Sequence, residues 1–277
     1  MGLLEVREAS VAYEGAPVID GLDLTIPPGR ITALVGPNGC GKSTLLRALA
    51  RLQRPTAGTV LLDGRSIWRL PPKELARQVG LLAQSPATPT GLLVEDLVAR
   101  GRYPHQSWLA QWSERDEAAV AGALRDTGAE SLRGRYVDEL SGGQRQRVWI
   151  AMAIAQETDV LLLDEPTTYL DVAYQVEIME LLEELHDRGD RTIVVVLHDL
   201  NQACRHAHHL VALRDGQVLA EGAPETVVTE DFVQTVFDLD CRILTDPVTG
   251  RPLFVPERRR PGRTVPGDAA GAVEELS

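Results

Sequence analysis

The chain has 277 residues, 44% of them hydrophobic and 25% charged, which gives room for one large domain or two small ones around a sizeable core. Its net charge of −12 speaks against broad, sequence-independent nucleic-acid binding, which needs Lys and Arg to neutralise phosphates, and no nucleic-acid partner is expected. No apolar run reaches the roughly 18 residues of a membrane span, no basic-then-apolar leader is seen, and Cys40, Cys204 and Cys241 are too scattered for a disulfide framework, so a reducing, cytoplasmic setting is expected.

In chain order, Leu4, Val6, Val11 and Tyr13, then Leu22, Leu24 and Ile26, alternate around the turn formers Gly15 and Pro17, which predicts short antiparallel strands. Ile31–Val35 is a compact apolar run entering a glycine loop, and Ser43–Leu52 continues with helical spacing through Leu45, Leu46 and Leu49. Residues 86–112 are punctuated by Pro86, Pro89, Gly91, Pro104, Trp108 and Trp112. Ser113 with Asp116 predicts a helix start, and that helix runs to about Thr127 with Gly128 as its stop. A further helix follows Ser141. Two buried strands, Val160–Leu163 and Ile193–Leu197, flank an amphipathic helix carrying Val176, Met179, Leu182 and Glu183. Strand–helix alternation of this kind predicts a mostly parallel α/β core, with a helical insertion at about residues 86–157. From Pro256 onward Pro, Gly, Arg and acidic residues replace the apolar pattern, so 256–277 is expected to be a disordered tail.

Of 28 basic residues only Lys42 and Lys73 are lysine. A lysine kept inside a glycine loop, where arginine serves elsewhere, points to chemistry that needs a slim, flexible ammonium. The loop itself, Gly36-Pro37-Asn38-Gly39-Cys40-Gly41-Lys42-Ser43-Thr44, fits G-x-x-x-x-G-K-[ST]. Its glycines let backbone N–H groups converge on phosphate oxygens at a helix N-terminus. Lys42 is expected to reach the β- and γ-phosphates of ATP, and the Ser43 hydroxyl to ligate Mg²⁺. Val160–Leu163 ends in Asp164 and Glu165, at the carboxyl end of a strand where α/β sheets bind ligands. Asp164 is expected to hold Mg²⁺ through water, and Glu165 to polarise the attacking water.

Leu140-Ser141-Gly142-Gly143-Gln144 before a helix resembles the signature of the ABC ATPases, and the resemblance covers about residues 1–255. It implies an α/β fold: a P-loop, RecA-like ABC ATPase core with an N-terminal antiparallel β-subdomain and an inserted α-helical subdomain. It also implies roles for further residues. Tyr13 lies where the family stacks an aromatic on adenine. Gln84 matches the glutamine that links Mg²⁺ and water to the helical subdomain. Leu170-Asp171 resembles the dimer-facing aspartate turn, and His198 matches the switch histidine near the γ-phosphate. Taken singly, Tyr13 could be a core aromatic and His198 a structural histidine; their joint order favours a site. The resemblance further implies a head-to-tail homodimer on ATP binding, in which Ser141 and Gly143 of one subunit face the γ-phosphate held by Lys42 of the other.

Without a membrane span, transport needs separate permease subunits and, indirectly, a substrate-binding protein, which places the chain at the cytoplasmic face of the membrane. The segment Ala99-Arg100-Gly101-Arg102-Tyr103-Pro104-His105-Gln106 is the expected permease contact, with Trp108 and Trp112 as a possible exposed pair. Together with Pro37–Gly41 and Thr167-Thr168-Tyr169-Leu170-Asp171 it resembles ATPases of iron–siderophore importers, although vitamin B12 and haem importers look similar here. A repair-type ABC ATPase would need a long coiled-coil insertion, and a ribosomal type normally carries two cassettes. Cys204, His206, His208 and His209 have spacings that could clamp a metal, yet a solvated helix face is the expected reading. Arg258–Arg260 with Arg263 is expected to be a solvated tail rather than a lipid contact. Cys40 beside Lys42 is either a thiol sensitised by the anion-binding loop or a small tolerated residue.

Overall fold

The computed structural model describes residues 2–257 apart from 14–15, 85–89, 107–111, 169 and 190. Two long strands open the chain, β1 (Leu4–Tyr13) and β2 (Ala16–Ile26), followed by β3 (Ile31–Val35), α1 (Lys42–Leu49), β4 (Ala57–Leu62), β5 (Arg65–Ser66), α2 (Pro72–Ala76) and β6 (Val79–Leu82). Three helices come next, α3 (Val94–Ala99), α4 (Glu114–Asp126) and α5 (Gly142–Ala155). Then come β7 (Val160–Asp164), α6 (Val172–Asp187), β8 (Thr192–Val196), α7 (Leu200–His206), β9 (His209–Arg214) and β10 (Gln217–Gly222). The chain closes with α8 (Pro224–Val227), α9 (Glu230–Phe237) and the hairpin β11 (Cys241–Thr245) and β12 (Pro252–Pro256). No helix among the described residues is long and apolar enough to cross a membrane.

The first strands are longer than their alternation suggested. β1 pairs with β2 through several register shifts, and Glu8 adopts a left-handed backbone (φ 46°). A bulge restarts the inside–outside alternation, so one continuous strand has the sequence appearance of two short ones. The four-stranded sheet runs β2-β1-β4-β5, and the six-stranded sheet runs β10-β9-β3-β8-β7-β6. In the latter, β9, β3, β8, β7 and β6 are mutually parallel, and only β10 is antiparallel.

Both faces of the parallel sheet are covered, which is why its strands read as unbroken apolar runs. Leu34, Leu162, Val194 and Val196 face α1 and the antiparallel sheet, in one core with Leu45, Leu46 and Leu49. Ala33, Leu161, Leu163 and Val195 face the other way, into a core shared with Val148 and Ile150 of α5, Ile178 and Leu182 of α6, and Ala203 of α7. Each layer depends on this interleaving: emptying one such position, as in Leu162→Ala, costs about 2–5 kcal/mol.

The helices start where their sequences cap them. Ser113 accepts from the Asp116 N–H while the Asp116 side chain accepts from Ser113 N, closing a capping box on α4. Ser141 and Gln144 close the same kind of box on α5. α1 ends at Leu49, three residues short of the expected Leu52, because Arg51 turns left-handed (φ 60°) and leaves Leu52 exposed. Residues 258–277, with the arginine run and nearly all of the expected tail, lie outside the described residues, and Pro256 itself ends β12.

A candidate nucleotide site at the strand ends

Sheet register brings the predicted residues together. Leu34 pairs with Val196, Asp164 with Val196, and Leu82 with Leu163, so the carboxyl ends of β3, β8, β7 and β6 form one row. Gly36, His198, Glu165 and Gln84 each lie one or two residues beyond that row, on segments far apart in sequence. This edge is where parallel α/β sheets bind ligands.

The loop after β3 is shaped for close approach. Gly36 is left-handed (φ 143°), and a Cβ there would lie 2.1 Å from the Leu213 carbonyl oxygen, so no other residue fits. Gly41, also left-handed (φ 106°), is the N-cap of α1 and offers no side chain to its first turn. The N–H groups of Lys42, Ser43 and Thr44 therefore begin the helix without an intrahelical carbonyl, an arrangement suited to an anion. Lys42 is buried, with its ammonium on the carbonyls of Gly36 (2.8 Å) and Pro37 (2.9 Å). Cys40 is buried against the same group, its Sγ 3.8 Å from Lys42 Nζ. That burial removes the ready access a sensitised thiol needs and favours the small-residue reading.

Beyond β7 two carboxylates stand side by side. Ser43 Oγ donates to Asp164 Oδ1 at 2.8 Å, and burial pushes the Asp164 carboxyl above its ordinary range, only partly offset by that bond. Glu165 is buried and left-handed (φ 53°), a backbone state costing on the order of 1 kcal/mol that aims its carboxylate out of the strand direction. Three side chains grip it: Gln84 Nε2 at 2.5 Å and Thr168 Oγ1 at 3.1 Å donate to Oε2, and His198 Nε2 lies 2.6 Å from Oε1. Gln84, Ser43, Asp164, Glu165 and His198 thus share one constellation with the loop. The part of Thr168 was missed from sequence; the only available signal was a hydroxyl three residues after Glu165 in a tight turn.

Other predicted residues lie elsewhere. Among the described residues no hydrogen bond joins Ser141–Gln144 to the Gly36–Thr44 loop. They cap α5, whose Gly143 packs so closely on Tyr174 that a Cβ would meet the ring at 3.1 Å. Asp171 is exposed and caps α6, accepting from Tyr174 N at 3.0 Å. Tyr13 ends β1, while its side chain and the whole of Trp108 lie outside the described residues. The expected solvated histidine face is not observed. Cys204 is fully buried, with its thiol pushed up to about 12 mainly by burial, and His206 is buried beside Glu183 (3.0 Å). His208 Nδ1 lies 3.2 Å from Ile31 N, with its ring 4.6 Å from that of His186. Tertiary packing of α7 against the sheet, invisible to local spacing, buries Cys204 and His206 and leaves His208 half-buried, and no set of three His, Cys, Asp or Glu among the described residues could hold a metal.

Comparison with known proteins agrees with this geometry. Residues 19–168 match the ABC transporter family model. The chain is 56% identical over 270 residues to the "Probable siderophore transport system ATP-binding protein YusV" of Bacillus subtilis (strain 168), covering 98% of each. Among solved structures, "An inward-facing conformation of a putative metal-chelate type ABC transporter" superposes with a TM-score of 0.79 at 29% identity, covering 93% of this chain and 98% of that one. A bacterial ABC transporter cassette solved as a dimer superposes with a TM-score of 0.71 at 28% identity, covering 79% and 98%. The chain therefore belongs to the ABC transporter family, as one of its ATP-binding, ATP-hydrolysing subunits.

Proposed function

We propose that this protein powers import of ferric siderophores, hydrolysing ATP as a nucleotide-bridged dimer bound to a separate membrane permease on its cytoplasmic face. The observation that carries the catalytic half is the three-sided grip on Glu165 beside the Ser43–Asp164 pair. The loop N–H groups and the α1 N-terminus take phosphate oxygens. The Lys42 ammonium rests on two loop carbonyls and the Cys40 sulfur, and the weak sulfur contact is the one it would exchange for the phosphates. Glu165 polarises the attacking water, with Gln84, Thr168 and His198 fixing its carboxylate. Tyr13 supplies the adenine platform.

The donor set fits Mg²⁺, which favours oxygen ligands and completes its shell with water and substrate phosphates. Ser43 Oγ and Asp164 Oδ1 are such donors, and Gln84 keeps its amide oxygen for the ion because its NH₂ serves Glu165. Bound there, the ion would neutralise charge on the β- and γ-phosphates.

Ser141 and the first-turn N–H groups of α5 from a second copy, with that copy's Asp171 turn, are proposed to close the site, in keeping with the dimeric cassette that this fold resembles. For the permease, Arg102 of segment 99–106 turns inward while Tyr103 (58% exposed) and Trp112 (47%) face out. Arg77 holds the Pro104 carbonyl and Lys73 the Gln106 carbonyl, so Tyr103 is presented on a braced segment. Such rigid aromatics suit a partner surface. The siderophore assignment is supported by the similarity to YusV.

Glu165→Gln tests the reading. The variant is expected to bind ATP, lose turnover by a factor on the order of 10²–10³, and accumulate an ATP-bound dimer in size-exclusion chromatography. Turnover at the normal rate would remove Glu165 as the base.

A further inference from the structure

Two helices begin at the site. α6 opens on the Asp171 turn, and α7 opens on Asp199, the residue after His198. Their side chains meet one turn in. Gln202 Nε2 donates to Gln175 Oε1 at 2.8 Å, and Gln175 Nε2 donates to the Leu170 carbonyl oxygen at 3.0 Å. Both bonds are partly buried, where water competes poorly for them.

The polarity of this chain is fixed at one end. A backbone carbonyl only accepts, so Gln175 must turn its NH₂ to Leu170 and its oxygen to Gln202, which must then present its own NH₂. The opposite side of α7 is fastened. Asn201 pairs with the Phe254 backbone in both directions (3.1 and 2.7 Å), and Arg251 donates to the carbonyls of Cys204 (3.2 Å) and Ala207 (2.5 Å). At its far end His206 lies against Glu183. α7 is therefore held as a unit between the hairpin β11–β12 and α6, and Gln202 is its hydrogen bond toward the Asp171 turn.

We propose that Gln202 and Gln175 are positioning residues that tie the placement of His198 to that of the Leu170–Asp171 turn. When α7 holds His198 on Glu165, the relay holds the Leu170 carbonyl, and the turn is set for the second copy. The proposal rests on the roles proposed above for His198 and Asp171.

Gln175→Glu separates the relay from simple packing, since it keeps length and the acceptor for Gln202 but removes the donor to Leu170. Steady-state ATPase assays on Gln175→Glu, Gln202→Leu and the double variant are expected to show kcat lowered about tenfold in each, with KM for ATP within about twofold. The double variant should fall no further than the singles, because all three break one chain. In a Glu165→Gln background, Gln175→Glu should raise the ATP concentration for half-maximal dimer about tenfold. Two outcomes overturn the relay: kcat and KM falling together with a lowered Tm, or multiplicative losses in the double variant. Wild-type kcat in Gln175→Glu while His198→Ala and Asp171→Ala are impaired also overturns it. Wild-type kcat in both His198→Ala and Asp171→Ala would instead remove the site reading beneath it, a distinguishable result.

Discussion

Two clusters of buried charge in the molecule are treated in opposite ways. Around Arg102, which is 1% exposed, the charges are matched: its Nε donates to Asp116 at 2.8 Å and its Nη1 to Glu157 at 2.9 Å and to the Ala155 carbonyl at 2.7 Å. Around Asp164 and Glu165, two adjacent carboxylates are enclosed with, among the described residues, no Lys or Arg in an ion pair with either. Burial disfavours the Asp116 charge too, but the hydrogen bonds from Arg102 and Ser113 outweigh it and lower that carboxyl's pKa, whereas at Asp164 burial prevails and raises it. Balanced burial builds structure by tying the Arg100–Arg102 turn to α4 and the end of α5. Unbalanced burial suits the roles proposed above for these two carboxylates, a cation ligand at Asp164 and a base at Glu165.

The comparison breaks most visibly at Arg102. Arg102→Ala strands Asp116 without its buried partner and should destabilise the fold by about 3–5 kcal/mol in urea unfolding. A loss under 1 kcal/mol would mean that the pair is no structural centre. Asp164→Asn should do the reverse. Removing a charge that burial disfavours, while Ser43 keeps its acceptor, is expected to raise Tm by about 2–4 °C in scans without nucleotide and to weaken Mg²⁺-dependent nucleotide binding. A lower Tm would show that the charge is balanced after all.

The pH dependence sharpens the contrast. The folded pKa of Asp116 lies below its ordinary value of 3.8, so its contribution is complete above that value and is lost as pH falls through the depressed one. Acid unfolding of Asp116→Asn should therefore follow a flatter stability curve below about pH 4. The smallest effect is expected at Cys204, whose buried thiol is pushed up to about 12. Iodoacetamide at pH 8 should label it in the native state at least about a hundredfold more slowly than an exposed thiol.

Much of this was legible in the sequence where local chemistry and global fold agree. Ile31–Val35, Val160–Leu163 and Ile193–Leu197 read as buried strands because both sheet faces are covered, and the glycine loop reads as a phosphate cradle because its spacing is set by backbone geometry. The caps at Ser113 and Ser141 were legible for the same reason. Less legible were features made by tertiary packing. Arg102 looked like part of a surface contact, since nothing local announces that Asp116 and Glu157 wait inside. Cys204 and His206 looked like a wet helix face, yet a seven-residue helix packed on the face of the parallel sheet buries them. Thr168 and the Gln175–Gln202 pair act through distances that no spacing rule encodes.

The two capping boxes carry one more consequence. Ser113 gives its hydroxyl hydrogen to Asp116 Oδ2 at 2.7 Å, so that cap is closed upon itself. In the other, Gln144 reaches the Ser141 backbone N–H through Oε1, and the Ser141 oxygen accepts from Gln144 N. Among the described residues nothing takes the Ser141 hydroxyl hydrogen. A carboxylate at the third helical position makes a finished joint; an amide there leaves a live one. The oxygen of Ser141 is thus placed by its own helix while its hydrogen is left free to turn, so the γ-phosphate proposed to arrive there would meet a side chain whose ordering entropy was largely spent during folding.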